Sequence, residues 1–293
     1  MGEGLGKGLG EILARIVGGI WSGLLEPWGY EFFVNALVVG WIIGVLCPLV
    51  GTFLVLLRLA LLGEAIAHAV IPGVVIAHAL GLDLTVGAFG SGMVSSWIAG
   101  LIQRQARVRA DSAIALSFAS FFSLGIVLIS LLKTRVDLEA LLFGDVLSVT
   151  PWDMGQAAIA LILILSLLIL HYKELLFFTF DPVGAAAAGL PTGLLHYGLM
   201  GGVTLAVVAA MKIAGTILVM ALLVGPVITA SLWVRSLHWT LVLASSIGLV
   251  CCTLGIYLSY FLDLPSGPAI ALTLFVQFLI NWLITGFLRS PPP

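Results

Sequence analysis

Apolar residues fill the chain in runs of about twenty, cut by short clusters of charge, proline and glycine. Nine runs stand out, at 34–57, 59–81, 84–102, 112–132, 154–172, 196–210, 213–233, 239–262 and 267–288. A helix needs roughly 20 mostly apolar residues to cross a ~30 Å hydrocarbon core, and only intrahelical bonds satisfy its backbone there. The pattern predicts an all-α, polytopic integral membrane protein with about nine transmembrane helices. The sixth and seventh runs are parted only by Met211 and Lys212.

Two connections have patterns of their own. Residues 133–153 contain LLFGDVLSVTPW, in which Gly144 and Pro151 interrupt an apolar segment too short to span, so a re-entrant or outer-surface turn is expected. Residues 173–193 read KELLFFTFDPVGAAAAGLPTG. Asp181 suits an N-cap, Pro182 the first helical position, and Gly189 with Pro191 a stop, so a short rigid helix is predicted inside this loop. The chain divides into a transmembrane domain, 33–289, and a leading segment, 1–32. In the latter Ile12, Ile16, Ile20 and Leu24 recur every four residues, as in a surface amphipathic helix, the other reading being a partly disordered leader. Glu3, Lys7, Glu11 and Arg15 are spread through it, unlike a cleaved signal peptide.

Composition agrees: 61% of residues are hydrophobic, 9% are charged, and the mean hydropathy is +1.22. A net charge of -2 sets aside a nucleic-acid partner. Placing the loop with Arg104, Arg107 and Arg109 in the cytoplasm puts seven basic residues inside against three outside, giving an external N-terminus and an internal C-terminus. Trp28, Trp152 and Trp282 fall near span ends, at headgroup level. Cys47, Cys251 and Cys252 lie in apolar runs without CxxC spacing and read as small hydrophobes.

One span departs from the apolar pattern. Residues 62–80 read LGEAIAHAVIPGVVIAHAL. An ionisable group at the bilayer centre costs roughly 2.5 kcal/mol or more, which makes it a functional candidate. Glu64 and His68, four residues apart, share a helix face. One oxygen and one nitrogen donor suit manganese, iron or zinc better than calcium or magnesium. Two donors are too few for a site, and four arise if two copies meet across a two-fold axis. The other reading is a structural pair hydrogen-bonded to each other or to neighbouring helices. His78 falls on a neighbouring face near the outer end, and Pro72 releases the carbonyl of His68 and allows a kink. His171, His196 and His238 sit at span ends as interfacial residues, and Lys212, Asp145 and Asp263 read as solvated loop charges.

HExxH, GxSxG and the phosphate loop GxxxxGK[ST] are all absent, so a pump built on this chain draws its energy from another protein. Two other readings stand beside it: a proton-coupled secondary transporter with Glu64 as relay, and an intramembrane metalloenzyme with Glu64 as general base.

The stretch GTFLVLLRLALLGEAIAHAVIPG from Gly51, followed in order by LLFGDVLSVT, TFDPVGAAAAGLP, LLVGPVITA and LDLPSGPAI, resembles the family of ABC importer permeases that take up manganese, zinc and iron. The likeness runs from about residue 26 to residue 288. It implies a type II ABC importer permease of cobalamin-importer-like architecture in the bacterial plasma (inner) membrane. It further implies a homodimer, two cytoplasmic ABC ATPase subunits on which ATP acts, and an extracytoplasmic metal-binding receptor. The permease is then not an enzyme and holds no permanent cofactor. In that family an Asp and a His on the second span line the pathway; the matching positions are Glu64 and His68. His78 reads by itself as a satisfied helix-end histidine, an auxiliary metal ligand being the other reading. Glutamate in place of aspartate adds one methylene. The segment Asp181 to Gly189, including Pro182 and Ala185, matches the coupling helix that docks on the ATPase. HAVIPG resembles the manganese and iron members more than the zinc members, so Mn2+ is the expected cargo, with Zn2+ or Fe2+ as alternatives.

Overall fold

The computed structural model describes residues 26–106, 108–133, 144, 146 and 149–289. A 3-10 turn at Glu26–Gly29 leads into α1 (Glu31–Leu56), α2 (Leu61–Ala69), α3 (Ile71–Leu80), α4 (Leu84–Gln105) and α5 (Ala110–Leu132). Then follow α6 (Pro151–Leu170), α7 (Tyr172–Phe180), α8 (Pro182–Ala187), α9 (Thr192–Trp233), α10 (Leu237–Leu262) and α11 (Ser266–Arg289). The expected amphipathic stretch at 12–24 and most of the 133–153 connection lie outside the described residues.

Eight helices, counting α2 and α3 together, are long and apolar enough to cross a membrane. Nine spans were expected, and the difference lies in α9, whose 42 residues take in both the sixth and the seventh. At 1.5 Å per residue such a helix is roughly 63 Å long, twice the hydrocarbon thickness, and cannot be one passage. It is broken at Gly215, which sits at φ 71, ψ 167, a conformation almost confined to glycine.

Neighbours show that the chain reverses there. Gly44 packs on Gly248 and Tyr30 on Tyr260, so α10 runs against α1, and α11 turns back again to follow α1. The tight turn after α1, in which Leu59 N donates to the Leu54 carbonyl, reverses the chain into α2, and Gly73 on Gly87 sets α4 against α3. The first half of α9 is antiparallel to α4, with His196 beside Gly100 and Thr204 beside Gly92. Its second half is parallel to α11, with Thr229 on Gln277 and Trp233 on Asn281. Eight helices thus make nine passages, and the boundary expected at Met211–Lys212 falls at Gly215.

Lys212 is consequently not a solvated loop charge. It lies inside α9, with Nζ 2.7 Å from Asp153 Oδ1 and 3.4 Å from Gln156 Oε1, and so ties the last turn before the break to the first turn of α6. Asp153 also completes a capping box with Thr150.

The core lies along α1 and α9, where Phe33, Leu37, Phe53, Leu218, Leu222 and Leu223 are shut off from solvent. The most apolar window is 72% buried in α1, in α2 with α3, and in α9, against 17% in α5 and 22% in α6 and α11. The first three are therefore the interior of the bundle, and the others present apolar side chains outward. Between α3 and α4 the backbones touch: a Cβ on Gly73 would strike the Gly87 carbonyl, and one on Gly87 the Gly73 carbonyl. Small residues of this kind let membrane helices approach where dispersion forces must hold them.

Candidate metal pathway and coupling element

The second span is built as two short helices meeting at Val70, and the break has the cause read from the sequence. Pro72 has no N–H to offer the His68 carbonyl, so the ladder is interrupted one turn beyond it. Leu62, Gly63, Ala65, Ile66, Ala67 and Ala69 face the bundle. A Cβ on Gly63 would meet Leu223 Cδ1 at 2.6 Å, so this side of α2 lies close against α9. Glu64 is left exposed and His68 half-buried on the opposite face.

That face meets α5. The His68 ring lies 5.3 Å from Phe118 and 5.7 Å, edge-on, from Phe122. Its Nδ1 is shielded and has no hydrogen-bond partner, and Glu64 has no hydrogen bond or ion pair among the described residues. The two groups do not form the hydrogen-bonded pair that was one reading of their spacing. Leaving a buried polar atom unpaired costs about 1–3 kcal/mol, so the site carries a local penalty at His68.

Glu64 and Phe118 line a cavity of about 180 Å³ together with Asp111 in the first turn of α5. Asp111 is paired with Arg109 at 3.6 Å, both well exposed. Sequence reasoning placed Asp111 at the edge of a basic loop and missed its approach to Glu64. Phe118 and Phe122 carried one weak signal, a four-residue spacing on one face of α5.

His78 is exposed in the last turn of α3. Ten residues on, it is roughly 15 Å along the axis from His68, too far to share one ion with it at metal–nitrogen distances of about 2 Å. Among the described residues no three His, Cys, Asp or Glu side chains come together as a metal-binding group. Within one protomer the pair offers one carboxylate and one imidazole, with no third such side chain beside them among the described residues. Cys47, Cys251 and Cys252 are buried free thiols packed among α1 and α10, as their apolar surroundings predict.

On the arginine-rich side the loop 173–193 folds into two helices. The first, α7, was not foreseen; α8 was. Asp181 Oδ1 accepts from Gly184 N at 2.8 Å, Pro182 opens the helix, and Ala185 is fully buried beneath it. Gly189 N donates to the Ala186 carbonyl and Leu190 N to that of Ala185, with Gly189 at φ 83, which is a Schellman stop. Val183 of α8 is 78% exposed and Phe180, the last residue of α7, 58%, so the corner between the two helices presents an apolar knob outward.

Comparison with known proteins gives this geometry a context. The family model described as ABC 3 transport family matches residues 29–285. The manganese transport system membrane protein MntC of Listeria monocytogenes is 41% identical over 262 residues, covering 89% of this chain and 92% of that one. A probable iron transport system membrane protein of Haemophilus influenzae is 37% identical over 88% of this chain and 95% of its own length. Among solved structures, PsaBC from Streptococcus pneumoniae, in complex with Fab, superposes with a TM-score of 0.80 at 36% identity over 90% of this chain and 95% of that one. With its match spanning nearly all of the described bundle, the chain belongs to the ABC 3 transport family, as an integral membrane component of ABC transport.

Proposed function

We propose that the chain is the permease subunit of an ATP-driven importer of divalent transition-metal ions, with manganese as its cargo, and that the ion passes between two copies at their Glu64 and His68 side chains. The observation that supports this reading is that an exposed Glu64, without a hydrogen bond or ion pair among the described residues, and a half-buried His68 share the outward face of α2. A second copy related by a two-fold axis supplies two more oxygen and nitrogen donors, so four donors face one ion. Carboxylates offset the repulsion a bare cation meets in low-dielectric surroundings. The mixed donor set favours manganese, iron or zinc over calcium. Manganese and iron are also what the similar proteins are named for.

The chain carries no phosphate loop, so two cytoplasmic ATPase subunits supply the energy and an extracytoplasmic receptor delivers the metal. Asp181, Pro182, Ala185 and Gly189 keep α8 rigid, so movement of the ATPase reaches α7 and α9 as displacement of one body. Access then alternates between the two sides of the membrane around the Glu64 and His68 pairs.

The test is accumulation of labelled manganese by cells carrying Glu64→Ala or His68→Ala. Both variants assemble as dimers in the membrane and fail to accumulate the ion; normal uptake by both refutes the pathway. Uptake driven by a proton gradient in vesicles holding this chain alone would favour the secondary-transporter reading instead. Turnover of a lipid or peptide substrate would favour the metalloenzyme.

A further inference from the structure

Behind the coupling element lies a second cavity, of about 410 Å³, walled by the end of α6, the start of α7, the Leu190–Pro191 link and the first turns of α9. Six of its ten lining residues are leucines. Leu175 and Leu199 close the back of it and are almost fully buried, while Leu194 at the rim is 72% exposed, and the neighbouring Leu170 75%. The cavity lies where two candidate membrane spans end, at the last residues of α6 and the first turns of α9. His171 and Glu174 also line it, three residues apart on one side of the chain. Glu174 is half-buried, and among the described residues neither side chain has a hydrogen-bond or ion-pair partner.

A carboxylate without a protein partner beside a leucine-lined slot is complementary to a cation joined to an apolar tail. We propose that this cavity binds an aminophospholipid of the inner leaflet: an acyl chain fills the slot, the headgroup ammonium pairs with Glu174, and His171 donates to the phosphate. The bound lipid wedges between the Leu190–Pro191 link and α9, and so braces the coupling helix against the span it moves. Binding stands independently of the transport reading; the bracing rests on it.

The test uses the full chain purified in detergent and offered phosphatidylethanolamine or phosphatidylglycerol, with retained lipid read by native mass spectrometry. The wild-type chain retains phosphatidylethanolamine over phosphatidylglycerol by roughly tenfold, the yield of one charge-assisted hydrogen bond. Glu174→Gln removes the preference and leaves the two lipids bound alike. Gly198→Leu fills the slot from within, since a Cβ at Gly198 meets nothing within 4 Å, and it loses both lipids while melting at the wild-type temperature. Equal retention of the two lipids by the wild-type chain, or undiminished retention by Gly198→Leu, overturns the proposal. So does a photo-crosslinker at Leu194 that captures the ATPase subunit and no lipid in the assembled complex. Loss of metal uptake in Glu64→Ala leaves lipid retention unchanged, so failure of the transport reading and failure of this one give different results.

Discussion

Lys212 Nζ lies 2.7 Å from Asp153 Oδ1, and the pair pins the helix turn before the Gly215 break to the first turn of α6. Residues 59 positions apart thus close the outer end of the bundle just where the longest helix reverses. The Lys212 side chain is 43% exposed and that of Asp153 16%, so solvent screens the pair in part.

Removing either partner is expected to cost about 1 kcal/mol. Asp153→Ala should cost more than Lys212→Met, because Asp153 also holds Thr150 in the capping box of α6. Thermal melting of the purified chain in a double-mutant cycle measures the coupling; additive effects would show that the pair contributes nothing.

Gly215→Ala places a Cβ at φ 71, ψ 167 and is expected to cost about 1–3 kcal/mol. Gly144 is packed against the same residue, leaving little room for relief. Gly198→Ala, in open space within the first half of α9, is the contrast: it should be neutral or stabilising by up to about 1 kcal/mol. Equal melting temperatures for the two variants would argue against a strained reversal at Gly215.

Asp181→Ala removes the N-cap of a six-residue helix, worth about 1 kcal/mol, from an element too short to be stable by propensity. Metal-stimulated ATP hydrolysis by the assembled importer should fall several-fold. The melting of the membrane bundle should not move. Unchanged stimulation would mean that the capped geometry of α8 is not what transmits the motion.

Glu64→Asp withdraws the carboxylate by one methylene while keeping its charge. Transport is expected to continue with a changed ratio of manganese to zinc uptake, whereas Glu64→Gln, which removes the charge, should stop it. Parallel uptake of the two labelled metals distinguishes the cases; an unchanged ratio in Glu64→Asp would show that reach at this position does not set selectivity.

The spans were legible because a bilayer accepts only long apolar helices, and α1, α4, α5, α10 and α11 begin and end within a few residues of their expected limits. The short helix α8 was equally legible, since Asp181, Pro182, Gly189 and Pro191 specify its start and stop locally. Lys212 misled for a physical reason: a lone charge between two apolar runs looks like a loop whether it meets water or a carboxylate. The α7 helix escaped notice because YKELLFFTF is too short and too mixed to show a period. Asp111 gave no sign of its place beside Glu64, because proximity across 47 residues of chain leaves no local trace.

The sequence by itself determined that this is a membrane bundle, that α8 forms, and that Glu64 and His68 share a face of one costly helix. Those properties follow from short-range rules: period, capping and the free energy of placing charge in hydrocarbon. Only the tertiary structure decided that α9 turns back at Gly215, that Lys212 is held by Asp153, and that Phe118 and Phe122 leave the His68 Nδ1 shielded without a partner. Each of these depends on which helices become neighbours, and that is settled by packing small residues and shapes across the whole bundle.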